Sequence, residues 1–160
     1  MIKFSEMVTE NVNSSLFKLG LDVHGVIDAM PDTFSFLTNS IVKNGGEVHI
    51  ITGGHWSNDF ENQLKSFGIN WTHKFSVYDY LIEKGVSVVG EIEFPDGSVQ
   101  KKFENGLWDN VKAEYCKNNN ISLHIDDTLR YNDFFTTPFA RLWSHNNNPK
   151  SSHKDIRHLD

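Results

Sequence analysis

The sequence predicts an α/β domain built on a mostly parallel sheet, and three observations predict it. Apolar, β-branched runs alternate along the chain with helical patterns. Three of those runs end on polar groups: Asp22, Thr52 and the pair Asp126-Asp127. One alternating stretch, residues 86–103, breaks this rhythm and carries Pro95-Asp96-Gly97 at its middle, the chemistry of a β-hairpin.

The elements follow in order. Residues 16–23 read as a first strand, too short an apolar run for a helix. Asp32 is placed to cap a helix over 33–44, with Phe34, Leu37 and Ile41 at helical spacing and Gly45-Gly46 as its stop. EVHIIT, 47–52, is a second strand. Gly53-Gly54 breaks it, and Ser57 is placed to cap a helix over 58–67. A third strand at 71–75 and a short helix at 76–85 precede the hairpin. A helix over 107–119 carries Val111 and Tyr115 on one face. A strand at 121–125, a helix or turn near 129–135 and a last strand at 139–143 complete the unit. Residues 1–145 are thus read as one domain with a hairpin insertion, and 146–160 as a polar tail.

Composition narrows the function. With 160 residues the chain has material for one domain with a real core. A net charge of −6 argues against an extended grip on nucleic acid or an anionic membrane. The single Cys116 has no internal disulfide partner, which makes a reducing, cytoplasmic setting the expectation. No stretch approaches the roughly 20 apolar residues that span a bilayer.

In an open parallel sheet, ligands bind beyond the carboxyl ends of the strands. Carboxylates ending neighbouring strands there repel one another and raise each other's pKa. A hard divalent cation resolves that repulsion, and Mg²⁺ takes oxygen ligands while keeping waters for a phosphate. For one aspartate a capping role would suffice; the set together reads as a site. Thr52 and the Gly53 amide offer a hydroxyl and an N–H to a phosphate oxygen. Lys112, on the helix before the last acidic strand, supplies a compact positive charge.

The order Asp22, Thr52, Lys112, Asp126-Asp127 resembles the haloacid dehalogenase-like superfamily, over about residues 16–143. GLDVHGVID matches the first motif at Asp22, Gly25 and Val26; HIITGG, Lys112 and HIDD match the other three. The resemblance implies a Rossmann-like three-layer sandwich and a Mg²⁺-dependent phosphohydrolase. Asp22 would be the nucleophile that forms an aspartyl-phosphate. The metal would be held by Asp22, the backbone carbonyl of His24, and Asp126 or Asp127. Thr52, Gly53 and Lys112 would hold the transferring phosphoryl group. TLRYNDFF after the acidic pair is similar to 5′-nucleotidase-like members, which marks Asn132 as a possible substrate contact. The implied substrate is a phosphorylated small molecule, a nucleotide or a phosphorylated macromolecule.

The chain departs from the family at His24, where phosphatases carry a second Asp as acid and base. A histidine titrates near pH 6.5 and can serve both roles. Three readings stay open: a working phosphatase with His24 as substitute, a related reaction that does not need the second Asp, or a catalytically impaired fold that binds a phosphorylated ligand or a protein. A response-regulator-like phosphoacceptor would need its acidic pair on the first strand, and here the pair ends a late one.

Other groups are weighed against simpler roles. His24, His49, His55 and His73 together fit no standard zinc spacing. His49 reads as a packed strand histidine, and His55, just after Thr52-Gly53-Gly54, as a possible substrate contact or a helix-start residue. Cys116 lies mid-helix without a partner. Trp56, Trp71, Phe75 and Tyr78 read as core before they read as a base-stacking surface. The hairpin is too small to be a full lid, with Lys101 and Lys102 on a solvated edge.

Overall fold

β1 (Lys18–Leu21), β2 (Glu47–Thr52), β3 (His73–Ser76), β6 (Leu123–Asp126) and β7 (Phe139–Arg141) pair into one sheet in the computed structural model of the chain. The structure describes residues 16–93, 99–104 and 106–143. Strand order is β3-β2-β1-β6-β7, and every pairing is parallel. A separate antiparallel ribbon joins β4 (Gly90–Glu93) to β5 (Val99–Lys102). Among the described residues four α-helices accompany the strands: α1 (Pro31–Lys43), α2 (Asn58–Ser66), α3 (Val77–Glu83) and α4 (Leu107–Asn118). The result is an α/β fold with a five-stranded parallel central sheet flanked by helices, as the alternating pattern predicts.

Side-chain alternation divides the sheet into two packed faces. Leu19, Leu21, Val48 and Ile50 share a buried cluster with Phe34 of α1 and Leu64 of α2. On the other face Ile51 packs with Cys116 of α4 and Ile121. Burying both faces explains why the strands read as near-continuous apolar runs. Gly20 is required by this packing: a Cβ there would sit 2.8 Å from His124 Nδ1 and 3.0 Å from Ile51 Cδ1.

Several boundaries differ from expectation. Asp32 does not cap α1. The helix starts at Pro31, whose fixed φ suits the first helical position, so Asp32 falls in the first turn and Met30 stands at the cap with no side-chain bond. β1 begins at Lys18, since Leu16 and Phe17 are exposed. β3 runs 73–76 rather than 71–75; Trp71 packs edge-on to Trp56 instead. The segment near 129–135 is a single 3₁₀ turn, Leu129–Asp133. Ser57 does cap α2, accepting the Phe60 amide at 3.1 Å. The turn Pro95-Asp96-Gly97 and the polar tail lie outside the described residues. Among the described residues no helix is long and apolar enough to cross a membrane.

The parallel register positions the site. Leu21 lies opposite Ile125, and the Asp22 amide donates to the Ile125 carbonyl at 3.0 Å. The next residues out, Asp22 and Asp126, therefore leave adjacent strands side by side. Strand order also reverses at β1, with β2 and β3 to one side and β6 and β7 to the other. This is the crevice where open α/β sheets bind ligands.

Candidate functional site

Lys112 organises the carboxyl edge of the sheet. It comes from α4, is 1% exposed, and donates from Nζ to Asp22 Oδ1 at 3.0 Å and to Asp126 Oδ2 at 2.6 Å. Its ammonium lies 4.7 Å from the centre of the buried Tyr131 ring. Asp22, Asp126 and Asp127 each bring a carboxylate oxygen within 4.8 Å of the others. Asp126 engages both of its oxygens inside the protein. Oδ2 takes Lys112 and lies 3.3 Å from His124 Nε2, and Oδ1 accepts the Thr128 amide at 2.9 Å. Asp127 Oδ1 accepts the Thr128 hydroxyl at 3.2 Å.

The electrostatics follow from burial and this one cation. Burial opposes the charge on Lys112, but Asp126 and Asp22 outweigh it and hold the ammonium firmly protonated. Burial also pushes Asp126 up, and Lys112 with His124 overrules it and holds the carboxyl well below the usual range. Asp22 keeps less of that support. Burial, with Asp126 and Asp127 close by, raises it to about 7 despite Lys112. Burial and then Asp126 raise Asp127 as well. Three carboxylates facing one ammonium leave the pocket short of positive charge. The all-oxygen donor set fits a hard divalent cation such as Mg²⁺.

The wide turn Val23–Ile27 wraps this cluster. His24 is extended (φ −74°, ψ 122°), and Gly25 is left-handed (φ 81°), a conformation that favours glycine. Gly25 is doubly required, because a Cβ there would collide with the Asp127 carboxylate. The turn closes when the Asp28 amide donates to the Val23 carbonyl at 3.1 Å and Asp28 Oδ1 accepts the Gly25 amide at 2.6 Å. Asp28 Oδ2 also lies 3.4 Å from His24 Nδ1. Asp28 raises the His24 pKa; partial burial opposes this, and Asp22 adds to it. The His24 side chain is 70% exposed.

The structure thus brings Asp22, Lys112, Asp126 and Asp127 together, with His24 at their rim. Thr52 ends the neighbouring strand, fully buried, its hydroxyl accepting the Gly54 amide at 3.2 Å. Gly53 lies under the Trp108 indole, which a Cβ would approach to 3.1 Å. His55 turns to α3, where Nδ1 meets Asp79 Oδ1 at 2.6 Å. Asn132 is exposed on the 3₁₀ turn, and its neighbour Tyr131 faces Lys112 instead. The Cys116 thiol is buried and pushed up to about 12, which leaves it inert at neutral pH.

Sequence reasoning missed Asp28, Trp108, His124, Thr128 and Tyr131. Two of them had a legible signal. His124 precedes Asp126 by two residues and so shares its strand face, and Asp28 follows His24 by four. Beside the site an open groove of about 710 Å³ runs between the ribbon and the start of α4, lined in part by Gln100, Lys101, Phe103, Trp108 and Arg130. No protein-family model matches the chain, and no curated protein matches it.

Proposed function

We propose that this chain is a Mg²⁺-dependent phosphomonoester hydrolase of the haloacid dehalogenase type, acting in the cytoplasm through an aspartyl-phosphate on Asp22. The observation that carries the reading is the buried Lys112 bridging Asp22 and Asp126 at the point where strand order reverses. A lone structural ion pair needs one carboxylate; here a third, Asp127, joins the other two. Asp22, Asp127, Asp126 and the His24 carbonyl are the groups that would hold the ion. When bound, Mg²⁺ supplies the positive charge that keeps Asp22 ionised and offsets charge on the phosphate oxygens.

The chain's own groups then divide the work. Asp22 attacks phosphorus in line through the oxygen that Lys112 leaves unused, and the bond to the leaving oxygen breaks. His24, whose protonated form Asp28 favours, gives that oxygen its proton. Thr52, the Gly53 amide and Lys112 offset the charge of the transferring group. Neutral His24 next takes a proton from water, which attacks the aspartyl-phosphate and frees inorganic phosphate and Asp22. The groove beside Gly53 lies within the 300–1,000 Å³ or so of ligand pockets and offers the half-buried Trp108 ring to a base. That supports a nucleotide or a phosphorylated macromolecule as substrate.

The test is phosphate release from nucleotides, sugar phosphates and an aryl phosphate, with Mg²⁺ and with EDTA. Turnover should require Mg²⁺ and vanish in Asp22→Asn. The exposed side chain of His24 favours one second reading, a binding protein that has lost turnover. Activity found only in His24→Asp would replace the first reading with that one.

A further inference from the structure

A second cluster of titratable side chains lies at the opposite, amino end of the sheet. Register pairs Lys18 with Glu47 and His49 with His73, which places Glu47, His49 and His73 on one face at the start of β2 and β3. His49 is 1% exposed, and its Nε2 lies 3.0 Å from Glu47 Oε2. His73 Nδ1 lies 3.8 Å from the same oxygen. The two imidazoles stack at 4.2 Å with only 10° between their planes. One donor atom from each of the three residues falls within 4.8 Å of the others.

We propose that Glu47, His49 and His73 form a second metal site, selective for a zinc-class divalent ion and independent of the Asp22 site. Two imidazole nitrogens and one carboxylate make a borderline-soft donor set that suits Zn²⁺ rather than Mg²⁺. The side chains of Glu47 (23% exposed) and His73 (50% exposed) leave a solvent-facing position for a fourth ligand. His49 already has an outer partner, since its Nδ1 lies 3.0 Å from the Tyr115 hydroxyl. Such partners fix the tautomer of metal-bound histidines. Without metal, Nε2–H serves Glu47 and the Tyr115 hydroxyl serves Nδ1. On binding, the ring proton sits on Nδ1 and donates to Tyr115, which frees Nε2 for the ion. His73 Nδ1 lies 2.9 Å from the Thr72 hydroxyl, a bond it would exchange for the ion on binding.

Lys18 is the built-in competitor. Its ammonium lies 3.0 Å from Glu47 Oε2 and occupies the place of a cation. Binding therefore exchanges an ammonium for a metal ion that ties β2 to β3. Through Tyr115 it also reaches α4, one turn beyond Lys112.

The full-length, tag-free chain tests this by Zn²⁺ titration calorimetry, Co²⁺ visible absorption and thermal unfolding, all with Mg²⁺ present to fill the Asp22 cluster. Wild type should bind one equivalent that His73→Ala weakens at least tenfold, with loss of the Co²⁺ band and of the rise in Tm. Tyr115→Phe should weaken it on the order of tenfold, as outer-partner losses do. Lys18→Met should tighten it, and Asp22→Asn should leave it unchanged. The proposal is overturned if His73→Ala titrates like wild type, if Lys18→Met fails to tighten binding, or if Asp22→Asn abolishes it.

Discussion

Lys112 illustrates the residue scale, where one side chain serves two neighbours. Lys112→Met leaves Asp22 and Asp126 buried without their cation. Breaking a buried ion pair from one side costs about 3–5 kcal/mol, so urea denaturation without metal should show a loss of that order. Mg²⁺ should restore part of it. Asp126 and Asp127 differ in the same terms. Asp126 is bonded within the protein at both oxygens, so Asp126→Asn should lower stability in EDTA as well as weaken the response to Mg²⁺. Asp127→Asn should mainly abolish the response to Mg²⁺, read as the shift in Tm on adding the ion. His24 and Asp22 were legible because each stands in a motif. Tyr131 and Trp108 were not, since neither is near its partner in sequence.

At the scale of elements, the connections matter more than the strands they join. Ser76 caps α3 by accepting the Asp79 amide at 3.0 Å, and its hydroxyl donates to the Gly54 carbonyl at 2.7 Å. Ser76→Ala removes both bonds. Loss of a cap costs about 1 kcal/mol, and the Thr52–Gly54 turn loses its tether. Denaturation should show at least that loss, and activity should fall with it. The ribbon is anchored at its root: Phe103 is buried against Val77, Leu81 and Val111, whereas β4 is exposed throughout. Phe103→Ala should cost about 3–5 kcal/mol. Ile92→Ser, on the exposed ribbon, should stay within about 0.5 kcal/mol. The antiparallel hairpin was readable from alternation. That its Gln100 comes close to Gly54 was not.

For the whole molecule, the acidic site links stability to pH and metal. Asp22 is held up at about 7 against 3.8 in an open chain. The folded state therefore keeps a proton that the unfolded chain gives up. The stability associated with that proton is present below pH 4 and is lost as pH rises to about 7. Asp22→Asn removes this term, so in EDTA the variant should gain stability relative to wild type more at pH 8 than at pH 5. Mg²⁺ competes with the same proton, and its stabilisation of wild type should grow from pH 6 to pH 8. At a hundred times its dissociation constant an ion adds about 2.7 kcal/mol. Thermal unfolding across that range checks both signs.

The sequence by itself determined the alternation of strands and helices, the polar ends of three strands and the order of Asp22, Thr52, Lys112 and Asp126. These depend on side-chain periodicity and local chain-breaking residues, which are properties of neighbours along the chain. Only the tertiary structure decided what those groups meet. Parallel register set Asp22 beside Asp126, packing of α4 drove Lys112 between them, and the pairing of β2 with β3 laid His73 on His49. No spacing rule contains the last of these, because the residues between them form a helix and its loops. The distance between two side chains is set by strand register and helix packing, not by the number of residues that separate them.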